Sequence, residues 1–207
     1  MSRPKLVLFD LDDVLVGYDH AKRLATLSER TGTTAKVAHR ALFTAGVEKA
    51  ADQGGLDVPG TLAALSEELG AAVTLEDWIA ARADAMSARP EVLALAHAAA
   101  AVAQVAILTN NGLLLRDHLE LMHPPLFPLF SGKVFCSAQF RRSKPDPAIY
   151  LDCLAALGVA PADALFIDDK VANANGARAA GLRAHHYQGS SGLRSALQTH
   201  RLLEFPA

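Results

Sequence analysis

The chain contains little cysteine and has no excess of basic charge. Its two cysteines, Cys136 and Cys153, form neither a CxxC pair nor a metal-finger spacing. We therefore expect reduced core residues, not a disulfide framework or a structural zinc site. The net charge is −2, from 20 Lys plus Arg against 22 Asp plus Glu. This balance provides no basic stripe that could displace counterions from phosphates, so no nucleic-acid partner is expected.

Long hydrophobic runs are missing as well. No stretch approaches the roughly 18 apolar residues of a membrane span. The apolar segment behind the basic amino terminus is interrupted at Asp10, and no cleavage-site pattern follows it. With 51% hydrophobic and 20% charged residues, the composition is that of an ordinary globular protein. We expect a soluble cytoplasmic protein, built as one domain with an insertion or as two small domains.

The carboxyl-terminal half alternates between strand and helix patterns. After a first strand at Leu6–Phe9, strand patterns recur at 105–108, 133–136, 164–167 and 184–187. The helix patterns between them cover 90–102, 112–122, 146–157 and a segment that ends near residue 181. Asp146 and Pro147 suit the start of the third helix, and Gly158 suits its end. This alternation predicts an α/β fold, a Rossmann-like parallel sheet with helices on both faces.

Residues 17–88 show a different pattern. They contain helix patterns at 20–30, 34–50, 59–69 and 75–86, with glycines between them, and no strand pattern. Thr74 followed by Asp77 resembles an amino-terminal capping signal. We predict a small all-helical cap at 17–88, inserted after the first strand of a core domain that comprises 1–16 and 89–207.

Charged or hydroxyl residues stand where the predicted strands end or a helix begins. These residues are Asp10, Asp12 and Asp13 after the first strand, Thr109 after the second, Lys144 before the third helix, and Asp168 and Asp169 after the fourth strand. Ligands of open α/β sheets bind outside the carboxyl ends of the strands. Taken singly, each residue could be a turn or cap residue. Their combination in this order predicts one active site.

The residue types fit hydrolysis of a phosphate monoester. Asp10 is a plausible nucleophile, and Asp12 can act as general acid and then as general base. Thr109 and Asn110 can hydrogen-bond phosphate oxygens, and Lys144 can neutralise the charge that develops during transfer. Carboxylates are hard oxygen ligands that suit Mg²⁺. We expect the metal at Asp10, Asp12, Asp168 and Asp169, with Asp12 able to bind through its backbone carbonyl.

Four segments together resemble the motifs of the haloacid dehalogenase-like hydrolase superfamily, and the resemblance covers essentially the whole chain. The segments are FDLDDVLV, ILTNNG, RRSKPDPAIY and FIDDKVANANGARAAG. The resemblance implies that Asp10 becomes phosphorylated and that Asp12 is the acid and base. It also implies that Thr109 and Lys144 are the second-motif and third-motif residues and that Asp168 and Asp169 are the metal-binding pair.

The helical insertion resembles the cap of the superfamily's first subclass. The acidic pair followed by Asn173 and Gly176 is most similar to a branch that contains bacterial phosphatases of the glucose-1-phosphate type. This similarity implies a small phosphorylated metabolite, such as a sugar phosphate, as substrate. Two positions depart from the pattern: Asp13 stands where many relatives have Gly, and Lys170 stands where the branch often has Asn. Lys170 could compete electrostatically with the metal.

Two other functions share parts of this pattern. A 2-haloacid dehalogenase uses the same fold and the same nucleophile but attacks carbon and needs neither magnesium nor an acid at the second position, so Asp12 favours a phosphatase. A response-regulator receiver is a non-enzymatic phospho-acceptor with Asp, Thr and Lys around its site. In a receiver the acidic pair comes first along the chain, whereas here it comes last, and a helical insertion has no place there.

The sequence leaves the substrate and the oligomeric state open. We expect a small-molecule phosphate ester and a monomer or homodimer. Tyr18, His20 and Phe43 are candidates for substrate selection, because the cap is expected to face Asp10. The loop 123–130 is a further candidate for the pocket border. Trp78 is expected to pack inside the cap.

Overall fold

A computed structural model describes residues 2–203 of the chain. At its centre is a five-stranded sheet in which each neighbouring pair of strands is parallel. Along the chain the strands are β1 (Leu6–Phe9), β4 (Gln104–Thr109), β5 (Val134–Cys136), β6 (Ala164–Asp168) and β7 (Arg183–His186). Their order across the sheet is β5-β4-β1-β6-β7. The carboxyl ends of β1, β4 and β6 therefore meet in the middle of one edge.

Helices cover both faces of this sheet, as predicted. The helices of this part are α6 (Pro90–Ala100), α7 (Leu113–Met122), α8 (Ser137–Phe140), α9 (Pro147–Leu157), α10 (Val171–Ala179) and α11 (Ser190–Thr199). Successive side chains of β1 alternate between two separate cores: Val7 and Phe9 lie in one, Leu6 and Leu8 in the other. All four are fully buried. The apolar strand pattern thus reflects a strand that is covered on both sides.

The terminal residues of α9 behave as the sequence predicts. The carboxylate of Asp146 accepts a hydrogen bond from the backbone N–H of Ala148 at 3.0 Å, Pro147 is the first helical residue, and Gly158 has a positive φ of 67°. Both cysteines are free and buried. None of the helices described in 2–203 is both long and apolar enough to span a bilayer.

Residues 16–88 form a group of helices above the sheet edge. Two short strands flank them, and five helices and one π-helical turn lie between the strands. In chain order these are β2 (Val16–Tyr18), α1 (His20–Thr31), α2 (Ala35–His39), the π-helical turn Arg40–Thr44, α3 (Val47–Asp52), α4 (Val58–Leu69), α5 (Leu75–Asp84) and β3 (Met86–Ala88). Thr74 and Asp77 exchange hydrogen bonds at the start of α5, so the predicted capping signal is confirmed. Trp78 is buried.

Two expectations for this segment are wrong. The structure contains an antiparallel pair of strands, with Gly17 opposite Ser87, where the sequence predicted only helix. Three residues are too few to show alternation, and the pairing joins segments far apart in the chain. The predicted helix 34–50 is interrupted before α3, at Gly46, which has a φ of 84°, a conformation that suits glycine. The paired strands stand at both predicted domain boundaries, and the division itself stays a prediction.

Candidate active site

The predicted site residues converge on one small cavity at the carboxyl edge of the sheet. The cavity has a volume of about 60 Å³ and is lined by Asp10, Asp12, Asp13, Thr109, Asn110, Lys144, Asp169, Lys170 and Asn173. Asp168 is fully buried directly behind it. The parallel register explains the convergence, because Asp10 follows β1 and its backbone N–H donates to the carbonyl of Ile167 on β6 at 2.8 Å.

Lys144 stands between two buried carboxylates. Its Nζ lies 2.8 Å from Oδ1 of Asp10 and 2.7 Å from Oδ2 of Asp168. Burial alone would lower the pKa of Lys144, but the charges of Asp10 and Asp168 outweigh burial and raise it. Burial raises the pKa of Asp10 to about 7, opposed by the charge of Lys144 and reinforced by that of Asp168. The lysine thus remains a cation that holds the two acids in place.

Asn110 fixes the backbone at Lys144. Its side-chain Nδ2 donates to the carbonyl of Lys144, and its Oδ1 accepts from the backbone N–H of Lys144, both at 2.9 Å. This exchange ties the end of β4 to the segment before α9. The structure thus gives Asn110 a part in positioning Lys144 that the sequence did not reveal. Its predicted contact with phosphate stays a prediction.

Three carboxylates form a cluster that fits a divalent cation. One oxygen each of Asp10, Asp168 and Asp169 lies within 4.8 Å of the others. Nδ2 of Asn173 donates to both oxygens of Asp168 at 3.0 Å, which orients that carboxylate. Oδ1 of Asp169 is buried and has no hydrogen-bond partner within residues 2–203. A buried acceptor without a partner is unusual, and a hard cation such as Mg²⁺ is a suitable partner for it.

The remaining acid of the predicted metal set, Asp12, faces the helices of residues 16–88. Nη2 of Arg82 donates to both of its carboxylate oxygens at 2.7 Å, and Nδ2 of Asn111 donates to Oδ2 at 3.2 Å. Burial would raise the pKa of Asp12, but Arg82 outweighs it and lowers the pKa. The carboxylate of Asp12 is not part of the three-acid cluster. Its predicted metal contact, through the backbone carbonyl, stays a prediction.

Arg82 and Asn111 are two residues of the site that the sequence did not predict. Arg82 is only 1% exposed, and the one signal for it is that it lies one helical turn after Trp78, on the apolar face of α5. Asn111 lies inside the second motif and also donates to Oγ1 of Thr109 at 2.8 Å. Their contacts with Asp12 cannot be read from local sequence, because Arg82 and Asn111 are 70 and 99 positions away from it.

A second cavity adjoins the first beneath the helices of residues 16–88. Its volume is about 280 Å³. It is lined by Asp12, Tyr18, His20, Arg23, Leu42, Phe43, Glu48, Lys49, Asp52, Arg82, Asn110 and Asn111. The cap residues predicted to select substrate are thus all in its wall. Asp12 and Asn110 line both cavities, so the two cavities lie side by side at these residues.

The loop 123–130 does not line either of these cavities, contrary to expectation. Leu126 and Phe130 are buried in the core, and the ring of Phe130 packs edge-on against Phe9 with centroids 6.2 Å apart. These apolar side chains of the proline-rich loop are buried in the core and therefore do not border a pocket.

Asp13, one of the two positions that depart from the pattern of the resembled family, has a φ of 61°. Glycine adopts this conformation easily, whereas it is uncommon for residues with a side chain.

Comparisons with known proteins agree with this geometry. A family model described as haloacid dehalogenase-like hydrolase matches residues 4–181. The chain is 39% identical over 82 residues to Phosphatase MT3486 of Mycobacterium tuberculosis, a match that covers 40% of this chain and 37% of that protein. The chain therefore spans little more than a third of the length of this relative.

Two solved structures have a similar fold. One is a HAD family enzyme from Bacteroides thetaiotaomicron in complex with magnesium and inorganic phosphate, with a TM-score of 0.75, 18% identity and coverage of 89% of this chain and 94% of that chain. The other is a 2-haloacid dehalogenase from Pseudomonas syringae pv. Tomato, with a TM-score of 0.65, 20% identity and coverage of 95% and 99%. At such identities the similarity shows the fold and does not separate the two chemistries.

Proposed function

The chain belongs to the haloacid dehalogenase-like hydrolases, and we propose that it is a magnesium-dependent phosphatase that hydrolyses a small phosphorylated metabolite through an aspartyl-phosphate intermediate. The observation that carries this proposal is the cluster of Asp10, Asp168 and Asp169, in which a buried oxygen of Asp169 has no hydrogen-bond partner in the described part of the chain. Displacement at carbon would need no such cluster. The sequence resemblance favours a sugar phosphate as substrate.

In the first step, a carboxylate oxygen of Asp10 attacks phosphorus and the bond from phosphorus to the ester oxygen breaks. The electron pair stays on the leaving oxygen, and Asp12 gives that oxygen its proton. Because Arg82 lowers the pKa of Asp12, this step uses the minor, protonated form of that acid. Lys144 donates hydrogen bonds toward the reaction centre, where negative charge spreads over the equatorial phosphate oxygens. The Oγ1 of Thr109 is a further donor for these oxygens.

In the second step, water attacks the phosphorus of the aspartyl phosphate. Asp12, now a carboxylate, accepts a proton from this water, and the bond between Asp10 and phosphorus breaks. The products are inorganic phosphate and the original carboxylate of Asp10. Each proton therefore passes through Asp12, and this role requires that Asp12 lie where the two cavities adjoin.

The residues that would hold magnesium are Asp10, Asp168 and Asp169, together with the backbone carbonyl of Asp12. Bound magnesium would screen the repulsion between the anionic nucleophile and the anionic phosphate. Asn173 supports this arrangement by orienting Asp168. Lys170, whose side chain is exposed, borders the same cavity.

We assign the larger cavity to the leaving group and the residues 17–88 to a cap domain that selects it. The small cavity suits a phosphoryl group, since it contains Asp10, Thr109 and Lys144. The larger one opens from Asp12 toward Phe43, so an ester oxygen that accepts a proton from Asp12 would have its organic group there. Closure of such a lid excludes water during transfer.

The experiment that tests this function is phosphate release from p-nitrophenyl phosphate and from a panel of phosphorylated metabolites, with chelator and with added magnesium. Chelator should abolish turnover and magnesium should restore it. Asp169→Asn should weaken the response to magnesium. Asp163→Asn is a matched control, because Asp163 pairs with Lys5 away from the site. Full turnover in chelator would contradict the assignment of the acidic cluster.

Acid quench followed by mass spectrometry identifies the nucleophile. Phosphate should appear on the peptide that contains Asp10 and should be absent in Asp10→Asn. Halide release from a 2-haloacid without phosphate release would favour the dehalogenase. A stable phosphoprotein with little turnover of any ester would favour the signalling module.

A further inference from the structure

A buried arginine of the cap contacts the proposed acid and base. Arg82 lies on α5 and is 1% exposed, yet its Nη2 donates to both carboxylate oxygens of Asp12 at 2.7 Å. Asp12 follows β1 at the sheet edge. The ion pair therefore connects the cap helices directly to the group through which both protons pass.

Other cap residues hold the guanidinium of Arg82 in this orientation. Its Cζ lies 4.2 Å from the ring centroid of Tyr18. The hydroxyl of Tyr18 accepts a hydrogen bond from Nη1 of Arg23 at 2.7 Å, and Arg23 forms a salt bridge with Glu48. These residues come from β2, α1 and α3, so three further elements of the cap contribute to the position of Arg82.

Stability alone does not explain this arrangement. Replacing a buried ion pair by apolar residues of similar volume is often neutral or stabilising. In addition, Nη1 of Arg82 is buried and has no hydrogen-bond partner among the described residues, and an unsatisfied buried donor is destabilising. Burial of Arg82 thus carries a free-energy cost, and its contact with Asp12 points to a role other than stabilising the fold.

We propose that Arg82 is a positioning residue that orients the carboxylate of Asp12 for proton transfer. This inference rests on the proposed phosphatase function. Asn111 of the core donates to the same carboxylate at 3.2 Å, so Asp12 is held from the core by Asn111 and from the cap by Arg82. Correct orientation of Asp12 then depends on the presence of the cap over the site.

The two reaction steps depend differently on this orientation, according to the leaving group. With 2,4-dinitrophenyl phosphate the leaving oxygen needs no proton, so Asp10 can be phosphorylated without help from Asp12. Hydrolysis of the intermediate still needs Asp12 as base. With ethyl phosphate the first step already needs the proton. A misoriented Asp12 should therefore let the phosphoenzyme accumulate with the first ester and not with the second.

The experiment compares Arg82→Met, Arg82→Lys and the wild type with magnesium in a quenched-flow instrument. In Arg82→Met, turnover of ethyl phosphate should fall by about 100-fold or more, the usual size of general acid–base catalysis. The first turnover of 2,4-dinitrophenyl phosphate should remain fast. Inorganic phosphate should then be released slowly, and phosphorylated Asp10 should accumulate. Arg82→Lys keeps the charge without the planar fork, so its turnover should fall between the two.

Arg30→Met is the matched control, because Arg30 is also a cap arginine in salt bridges, with Asp77 and Glu76, but at the surface. It should behave as the wild type. A double-mutant cycle then tests whether Arg82 acts through Asp12: in an Asp12→Asn background, Arg82→Met should cause no further loss. Circular dichroism confirms folding, and if Arg82→Met fails to fold, Arg82→Lys decides.

Several results would overturn the inference. These are wild-type behaviour of Arg82→Met, an equal loss on both esters without accumulated phosphoenzyme in a folded variant, or a further loss in the Asp12→Asn background. An active wild type with any of these results leaves the proposed function intact and removes only the role of Arg82. A wild type without magnesium-dependent turnover removes both.

Discussion

Replacing Lys144 by methionine should destabilise the fold, and the loss should grow with pH. The Nζ of Lys144 lies within 2.8 Å of Asp10 and Asp168, and the exposed fractions of the three side chains are 1%, 8% and 0%. Methionine has a similar length, so the main change is the loss of one buried charge. Removal of one partner from a buried pair typically costs about 3–5 kcal/mol.

The pH dependence follows from Asp10. Burial raises the pKa of Asp10 from 3.8 to about 7 in the folded protein. The free energy of unfolding is therefore not reduced by Asp10 below pH 3.8, and it falls as pH rises through 7. Lys144 opposes this shift, and without it the pKa of Asp10 rises further. Above pH 7 the ionisation of Asp10 then continues to destabilise the variant, by up to about 1.4 kcal/mol per pH unit, whereas in the wild type Asp10 contributes no further loss there.

Urea unfolding in the presence of chelator, at pH values between 5 and 9, measures this difference. The free-energy difference between wild type and Lys144→Met should be smallest at pH 5–6 and should increase by about 1–2 kcal/mol up to pH 9. Lys170→Met is the control, because Lys170 lines the same cavity but is exposed, and its effect should stay within about 0.5 kcal/mol. A small, pH-independent effect of Lys144→Met would refute the electrostatic reasoning.

Three further predictions concern the supports of the site. Gly176→Ala should slow turnover and lower the free energy of unfolding by about 1–3 kcal/mol, because the new methyl group would overlap the carbonyl of Pro145. The control Gly192→Ala should be harmless, because the nearest atoms to its new methyl group would lie 3.8 Å away. Asp52→Asn should gain stability over the wild type as pH rises from 4 to 8, because burial raises the pKa of Asp52 to about 8; parallel urea midpoints would contradict this. Phe43→Ala should raise KM for the preferred metabolite by about tenfold and leave KM for a small aryl phosphate unchanged; equal changes would argue against a selectivity role.

The sheet and the acids at its edge could be predicted because their signals are local. Asp10, Thr109 and Asp168 each stand at the end of a buried strand, and parallel pairing brings such ends together. The family resemblance also lies in these same short segments. The fold class and family were therefore predicted correctly, and the structure assembles the predicted side chains around one cavity.

Other features depend on contacts that no local pattern records. The strands β2 and β3 are three residues each and become strands only by pairing with each other. The reciprocal contact between Asn110 and Lys144 joins positions 34 apart. The loop 123–130 was a candidate for the pocket border, but its side chains Leu126 and Phe130 are buried in the core.

The cap arginines show where this difference matters for function. Arg30 and Arg82 both lie at or near the end of a cap helix and look equivalent in the sequence, yet Arg30 forms surface ion pairs and Arg82 is buried against Asp12. Their difference arises only when α1 and α5 pack together, since that packing determines which face of each helix meets the sheet edge. The residues of the proposed reaction centre thus come from short segments at strand ends, whereas the proposed control of Asp12 by Arg82 depends on how the helices of residues 16–88 pack.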